Sequence, residues 1–290
     1  MLTAAAYIAS VLFSVSQSAL GKAMPKGKRA DIYSLNKLFA ASIFFSFPLF
    51  FGFDIHVPTL MYASLYAVFL SISTVFGLKA LISGPMALTS TIVTFSLIFP
   101  VTYGFLFLNE TITIPCAIGL SALVPTFILL NFKKGSKVKI TGKWMVYTLI
   151  TLCSNGVCSI IQKKHQLLFA GKHLSLFMFF AMLVSFFILL VVSSVNSFHN
   201  RKKEKTTLSF KPKELIIPNG LLAGVFNGLA NFMTLFLASA ENASILFPVI
   251  SVSTSAAALA VGRFFFGERL SAAQKTGFVI GVLSAALMKF

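Results

Sequence analysis

Acidic side chains are nearly missing from this chain. Asp and Glu together number 7 against 24 Lys and Arg, and charged residues make up only 11% of 290. A soluble domain carries roughly 25%, so the polar surface here is too small to cover a water-facing shell. Cysteine is equally sparse: Cys116, Cys153 and Cys158 are odd in number and all lie in apolar stretches. That excludes a disulfide framework or a paired zinc motif and leaves them as small apolar packing residues. His56, His165, His173 and His199 are spread among different loops near the ends of apolar runs, with no metal-ligand spacing. No Gly-x4-Gly-Lys-Ser/Thr loop is present, so primary active transport by this chain alone is not expected.

What the chain has is apolar bulk. Residues of the AVILMFWYC set make up 57%, Phe alone contributes 33, and the mean hydropathy is +0.89. The composition predicts an all-α integral membrane protein, multi-pass in the cell membrane and in contact with lipid. The net charge of +17 comes in short basic runs between apolar segments. This is the pattern of cytoplasmic membrane loops and not of a nucleic-acid face.

A spanning helix needs roughly 20 mostly apolar residues. That ruler gives ten transmembrane helices: 2–21, 32–52, 58–80, 86–108, 113–131, 143–163, 173–197, 215–238, 243–266 and 271–289. The first lacks a basic leader and a small-residue cleavage site, so it reads as a retained helix. Twenty of the 24 Lys and Arg fall on the side that holds the loops after spans 1, 3, 5, 7 and 9. The exceptions are Lys163, Lys164, Lys172 and Lys289. The positive-inside rule then places both termini outside the cytoplasm.

The chain repeats itself. Glu110-Thr111-Ile112-Thr113 with Gly119 and Glu268-Arg269-Leu270-Ser271 with Gly277 share one pattern at a constant offset of 158. Ser34-Leu35 and Phe39-Ala40 recur as Ser175-Leu176 and Phe180-Ala181 at an offset of 141. Residues 1–135 and 136–290 therefore form two five-helix repeats. Five is odd, so the second enters the membrane from the opposite face. Two inverted repeats around a central cavity suit alternating access, because their two halves can exchange conformations at similar energy.

At these residues the chain resembles the drug/metabolite transporter superfamily, in particular its ten-helix EamA-like members. The resemblance covers the whole chain, with Ala80, Gly84-Pro85 and Pro100 as weaker matches. It implies a basket of helices around a cavity lined mostly by spans 1, 3, 4, 6, 8 and 9, with spans 5 and 10 peripheral. Two features depart from the superfamily's pattern. Neither span 1 nor span 6 contains an acid, whereas small multidrug resistance members carry a glutamate in the first helix. Many EamA-like members also have cytoplasmic termini, opposite to the charge count here.

Without a membrane-embedded carboxylate, simple proton/cation exchange through one is not expected, and neutral polar groups must contact substrate. Asn227 and Asn231 share one face of span 8, beside a stripe of Gly220, Gly224 and Gly228. They read either as hydrogen-bonding arms in the cavity or as helix–helix contacts. Ser73 stands at the position equivalent to Asn231. Gln17 and Asn155 are the strongest candidates on spans 1 and 6, since amides are hard to satisfy within their own helix. Serines more often bond their own i−4 carbonyl. The substrate-binding set is therefore Gln17, Ser73, Asn155, Asn227 and Asn231.

Pro100 and Pro248, inside spans 4 and 9, remove backbone bonds and serve either as bending points or as static kinks. Glu110 and Glu268 are read as structural, each accepting from the orphan amides of the helix that follows it, with Thr113 and Ser271 as N-caps. Lys37 and Arg263 sit about a turn inside their spans and snorkel outward. Lys163-Lys164-His165 reads as a solvated helix end or as an anion site at a cavity mouth.

The expected function is a secondary transporter exporting a small polar or amphipathic metabolite or drug. A lipid scramblase is the alternative, and an enzyme is disfavoured because no carboxylates or histidines converge at one interface in the sequence. No cofactor and no metal are expected, and monomer and homodimer both stay open.

Overall fold

The structure is a computed structural model. It describes residues 55–83, 89, 92–111, 113–131, 141–201, 228, 230–238, 242–266 and 271–287. Among these there is no strand. The helices are α1 (Val57–Ser83), α2 (Ile98–Phe107), α3 (Ile114–Asn131), α4 (Gly142–Leu168), α5 (Leu174–Arg201), α6 (230–238), α7 (Ala243–Phe266) and α8 (Ala272–Leu287). Three stretches are long and apolar enough to cross a membrane: Val57–Gly77, Gly142–Leu168 and Leu174–Val192. Shorter apolar helices run over Ile92–Phe107, Ile114–Leu130 and Ala243–Thr254. Expected spans 3, 5, 6, 7, 9 and 10 thus coincide with helices. Spans 1 and 2 lie outside the described residues, as does most of span 8.

Helix starts follow the hydroxyl signals in the sequence. Thr113 Oγ1 accepts from Cys116 N at 3.3 Å, and Thr141 Oγ1 from Trp144 N at 3.3 Å. At α8 the cap is reciprocal: Gln274 N donates to Ser271 Oγ (3.2 Å) and Ser271 N to Gln274 Oε1 (3.0 Å). That is a capping box, which satisfies two orphan donors at once.

Span 4 is not uniform. A 3-10 turn, Phe95–Leu97, precedes α2, and Pro100 sits buried as the third residue of α2. Proline has no N–H to close an α-turn on Ser96, and the tighter turn falls where that bond would have been. Pro248, which is buried, lies inside α7 and Pro125, which is exposed, inside α3, both without ending the helix.

Two larger buried clusters hold most of the described helices together, and a smaller third, of Leu237, Ala238, Ala243, Leu246 and Phe247, joins α6 to α7. Ala63, Tyr66, Cys158, Ile161, Phe177, Met178, Ala181, Met182 and Leu235 join α1, α4, α5 and α6. Leu97, Val101, Cys116, Leu123, Phe127, Val249 and Val252 join the α2 region, α3 and α7. Against expectation, Cys153 is exposed, while Cys116 and Cys158 are buried. Helices α3 and α8, which begin at the two matching motifs, pack directly on one another. Gly277 makes this possible: a Cβ there would lie 2.8 Å from Leu129 Cβ and 3.0 Å from Leu130 N.

Among the described residues, many large apolar side chains face outward. Met145, Val146 and Leu149 on α4 are exposed, as are Met61, Leu65 and Val68 on α1, Phe187, Val191 and Val195 on α5, and Val279, Val282 and Leu283 on α8. Polar residues, by contrast, line the contacts between helices. This arrangement is the inverse of a water-soluble bundle.

Candidate functional site

Along α4 the residues Trp144, Thr148, Thr151, Asn155, Cys158, Gln162 and His165 follow one another at alternating steps of four and three. Along α1, Thr59, Ala63, Tyr66, Leu70, Ser73, Gly77 and Ala80 do the same. A repeat of about 3.5 residues keeps one stripe of a helix facing its partner over many turns. The two stripes meet in antiparallel order. Thr59 bonds His165, Tyr66 bonds Gln162, Ser73 bonds Asn155, and the Gly77 backbone lies against Thr151. In a coiled coil this seam would be leucines; here it is largely hydroxyl, amide, imidazole and phenol.

At mid-seam the Tyr66 hydroxyl donates to Asn231 Oδ1 of α6 at 3.0 Å and accepts from Gln162 Nε2 at 3.3 Å. Two turns along α1, Ser73 Oγ donates to Asn155 Oδ1 at 2.5 Å. Neighbouring hydroxyls behave otherwise: Ser71, Thr74, Thr148 and Thr151 each donate to their own i−4 carbonyl. Ser73 is thus diverted from the local bond toward an amide on another helix. Three of the five substrate-binding candidates, Ser73, Asn155 and Asn231, enter this set of interhelical bonds. Gln17 and Asn227 lie outside the described residues.

Tyr66 is the centre of the mid-seam bonds, and the sequence reading missed it. The signal was available in the alternating step that links it to Thr59 and Ser73.

Three expectations need correction. Glu110 does cap a helix, but not the one that follows it. Its Oε1 accepts from Ala243 N at 2.8 Å and its Oε2 from Ser244 N at 2.9 Å, so it closes the start of α7 in the other half of the chain. Asn109 reverses the chain there at φ 52, a left-handed conformation that Asn tolerates. Glu110 N then donates to Gly104 O at 3.1 Å. The carboxylate occupies the space where a Gly104 side chain would be, which explains the glycine. Glu268 lies outside the described residues.

Lys163 is not solvated. It is 4% exposed and donates to Ala238 O at 3.0 Å, one of the last carbonyls of α6, where a helix leaves acceptors unpaired and carries a partial negative charge. Of the Lys163-Lys164-His165 run only Lys164 faces outward.

Three of the four histidines, His56, His165 and His173, are not scattered either. His56 and His173 stack with centroids 4.4 Å apart and planes 2° from parallel, and Thr59 bridges His56 to His165. Even so, among the described residues no group of His, Cys, Asp and Glu could hold a metal ion. Lys37 and the Arg263 side chain lie outside what is described.

No protein-family profile matches the chain, and no curated protein matches it. A solved structure described only as "Crystal structure of protein" superposes with a TM-score of 0.75 at 14% identity, covering 100% of this chain and 98% of that one. At that identity the likeness is one of fold.

Proposed function

We propose that the chain is a multi-pass membrane transporter of a small polar or amphipathic solute, built as two inverted five-helix repeats of the EamA-like kind and working by alternating access. The observation that carries this reading is the Tyr66–Asn231–Gln162 network with the neighbouring Ser73–Asn155 bond. They lie between helices whose outward faces are apolar. Hydroxyls and amides inside an apolar bundle are costly unless paired, and they can exchange their partners for those of a solute. The equivalent capping of α3 by Thr113 and α8 by Ser271 supports the repeat, as does the packing of those two helices on each other. Neutral amide and hydroxyl groups suit an uncharged or zwitterionic solute better than a lipophilic cation. The excess of Lys and Arg on one side supports termini outside the cytoplasm.

The test is solute flux into or out of proteoliposomes that hold the purified protein, across a broad metabolite panel. The expected result is flux of at least one solute, reduced at least tenfold by Asn155→Ala or Asn231→Ala. Lipid exchange between leaflets without any solute flux would replace this reading with a scramblase. A C-terminal reporter that works only in the cytoplasm should be silent.

A further inference from the structure

His56 and His173 each open a helix. The carbonyl of His56 accepts the first backbone bond of α1, from Leu60 N at 3.2 Å. That of His173 accepts the first bond of α5, from Phe177 N at 2.9 Å. Two helices therefore begin side by side, and the partial positive charge of both N-terminal ends gathers at one place. The two imidazoles meet there face to face, with centroids 4.4 Å apart and planes 2° from parallel. Both rings are half-buried, so water reaches them.

This packing suits neutral rings. A proton on one ring meets two helix N-termini, and a second proton sets like charges at the stacking distance. The groups on the surrounding elements do not offset this. Lys164 of α4 and Lys172 before α5 are exposed cations, and Lys163 of α4 is turned to the Ala238 carbonyl. Tyr62 of α1 packs on Phe169 at 6.1 Å, and His165 of α4 is joined to His56 through Thr59. The carbonyls of His165 and Gln166 near the end of α4 already accept from Phe169 N and Gly171 N. Glu110, the one carboxylate among the described residues, is bound to α7. Asp54, two positions before His56 in sequence, is outside them.

The turn that presents His173 is not relaxed. Ala170 and His173 have φ 47 and 57, a left-handed conformation that a residue with a Cβ adopts at a cost. Ring packing ties this turn to α1. Phe169 stands at 78° to His56 with centroids 4.8 Å apart, and His173 covers the His56 face. The bonds from Gly171 N to Gln166 O and from Lys172 N to Phe169 O are internal to the end of α4 and the turn. They survive when the turn leaves α1.

We propose that the His56–His173 stack is a proton-controlled latch at this end of the bundle. With both rings neutral it keeps the α4–α5 turn on the start of α1; with both charged the turn moves off. The closed pair binds fewer protons than the parted pair, so acid favours the parted state. Helix α1 belongs to the first five-helix repeat and α4 and α5 to the second. The latch thus spans a contact between repeats, of the kind that alternating access loosens at one end. That consequence rests on the transport reading; the latch itself does not. The excess of Lys and Arg on the other side puts this end outside the cytoplasm, so the pH it senses is the outer one.

The test uses the full chain in nanodiscs between about pH 8 and about pH 5, where histidines charge. Nitrogen NMR of labelled histidine reads each ring. Spin labels on Ile55→Cys and Lys172→Cys, both exposed and each next to a stacked ring, read the gap by dipolar broadening. They are placed on a Cys153→Ser background, since Cys153 is exposed and the other two cysteines are buried. The expected result is two proton-binding steps for the pair, the second at least about tenfold weaker, with the broadening lost in the second step. His173→Phe keeps a flat ring on His56 but cannot charge, so its spectrum should stay broadened at every pH. His173→Ala should lose the broadening already at neutral pH. Asp54→Asn should leave the opening in place. The proposal is overturned if both rings charge while the broadening stays, if His173→Phe opens like the parent, or if Asp54→Asn abolishes the opening. Should a labelled variant fail to fold, NMR of the unlabelled chain decides, and a pair that charges in one step overturns the latch. Solute flux in vesicles separates the two readings. No flux at any pH removes transport and leaves the latch. Flux that depends on outer pH equally in His173→Phe and the parent removes the gating role alone.

Discussion

Glu110 and Lys163 bind two consecutive helices with opposite charges. The carboxylate binds the first amides of α7 at Ala243 and Ser244, and the ammonium binds the Ala238 carbonyl near the end of α6. Each charge matches the sign of the helix end it meets: negative against the exposed amides of an N-terminus, positive against the exposed carbonyls of a C-terminus. Neither comes from the helices it binds. Glu110 follows α2 and Lys163 belongs to α4, so both contacts tie the α6–α7 pair to distant parts of the chain.

Removing the carboxylate should loosen that tie. Glu110→Ala leaves two partly buried amides without their acceptors, at a cost of about 1–2 kcal/mol, the range of a lost helix cap. Glu110→Gln keeps one acceptor oxygen and should lose about half as much. Gly104→Ala drives a methyl group into the carboxylate and should mimic Glu110→Ala. The double variant should be no worse than either single one, since both act on the same contact. Thermal unfolding in detergent or nanodiscs, followed by the lone Trp144, reads all four. Additive losses would refute the shared contact.

Lys163→Met tests the contact with α6. Methionine fills much of the same volume but donates nothing to the Ala238 carbonyl. The expected loss is about 1–3 kcal/mol from an acceptor left buried. Lys163→Arg, which keeps the charge, should recover part of it. A fully stable Lys163→Met protein would return this lysine to the solvated role that the sequence suggested.

Helix positions were legible because hydropathy and hydroxyl caps are local signals. Val57–Ser83 and Ala243–Phe266 differ from the expected spans by no more than three residues at either end. Gly277 within its motif and the capping hydroxyls of Thr113 and Ser271 could be read in the same way. What could not be read was who faces whom. Glu110 lies 133 residues from Ala243, and Thr59 lies 106 from His165. No property of either segment alone names its partner. The seam is an intermediate case. Its alternating steps of four and three are present in the sequence of α4, but each polar residue at those steps reads by itself as a local contact and not as part of a stripe. Asn155 stands out because it is an amide in an apolar run, and Ser73 because the repeat places it at the position equivalent to Asn231. Tyr66 and Thr59 were missed because an aromatic ring or a single hydroxyl does not.

Gly277 sets how closely α3 and α8 approach. Gly277→Val places branched methyl groups against Leu129 and the Thr126 carbonyl, already 3.2 Å from a single added Cβ. Overpacking of this kind costs about 1–3 kcal/mol. Gly142→Val, at a glycine with nothing within 4 Å of an added Cβ, should cost far less. Equal melting points for the two variants would mean that the α3–α8 contact does not depend on the glycine.

The Ser73–Asn155 pair separates a binding site from simple helix contact. If the bond only holds α1 to α4, then Ser73→Ala and Asn155→Ala should each lower stability and leave solute flux unchanged in the protein that remains folded. The stability effect should in any case be small, about 0.6 kcal/mol for an average interhelical hydrogen bond in a membrane. Ser73 also has a fallback: with Asn155 gone, its hydroxyl can turn to the Phe69 carbonyl, as Ser71 and Thr74 do with theirs. A solute that takes the place of Ser73 on the Asn155 amide would have no such substitute. Asn155→Ala should therefore cut flux at least tenfold while moving the melting temperature little, and Ser73→Ala, which leaves the amide in place, should cut it less. Tyr66→Phe should behave like Asn155→Ala, because it strips Asn231 of a donor and Gln162 of an acceptor in one step. Flux that falls only in proportion to folded protein, for all three variants, would reduce the seam to a packing device.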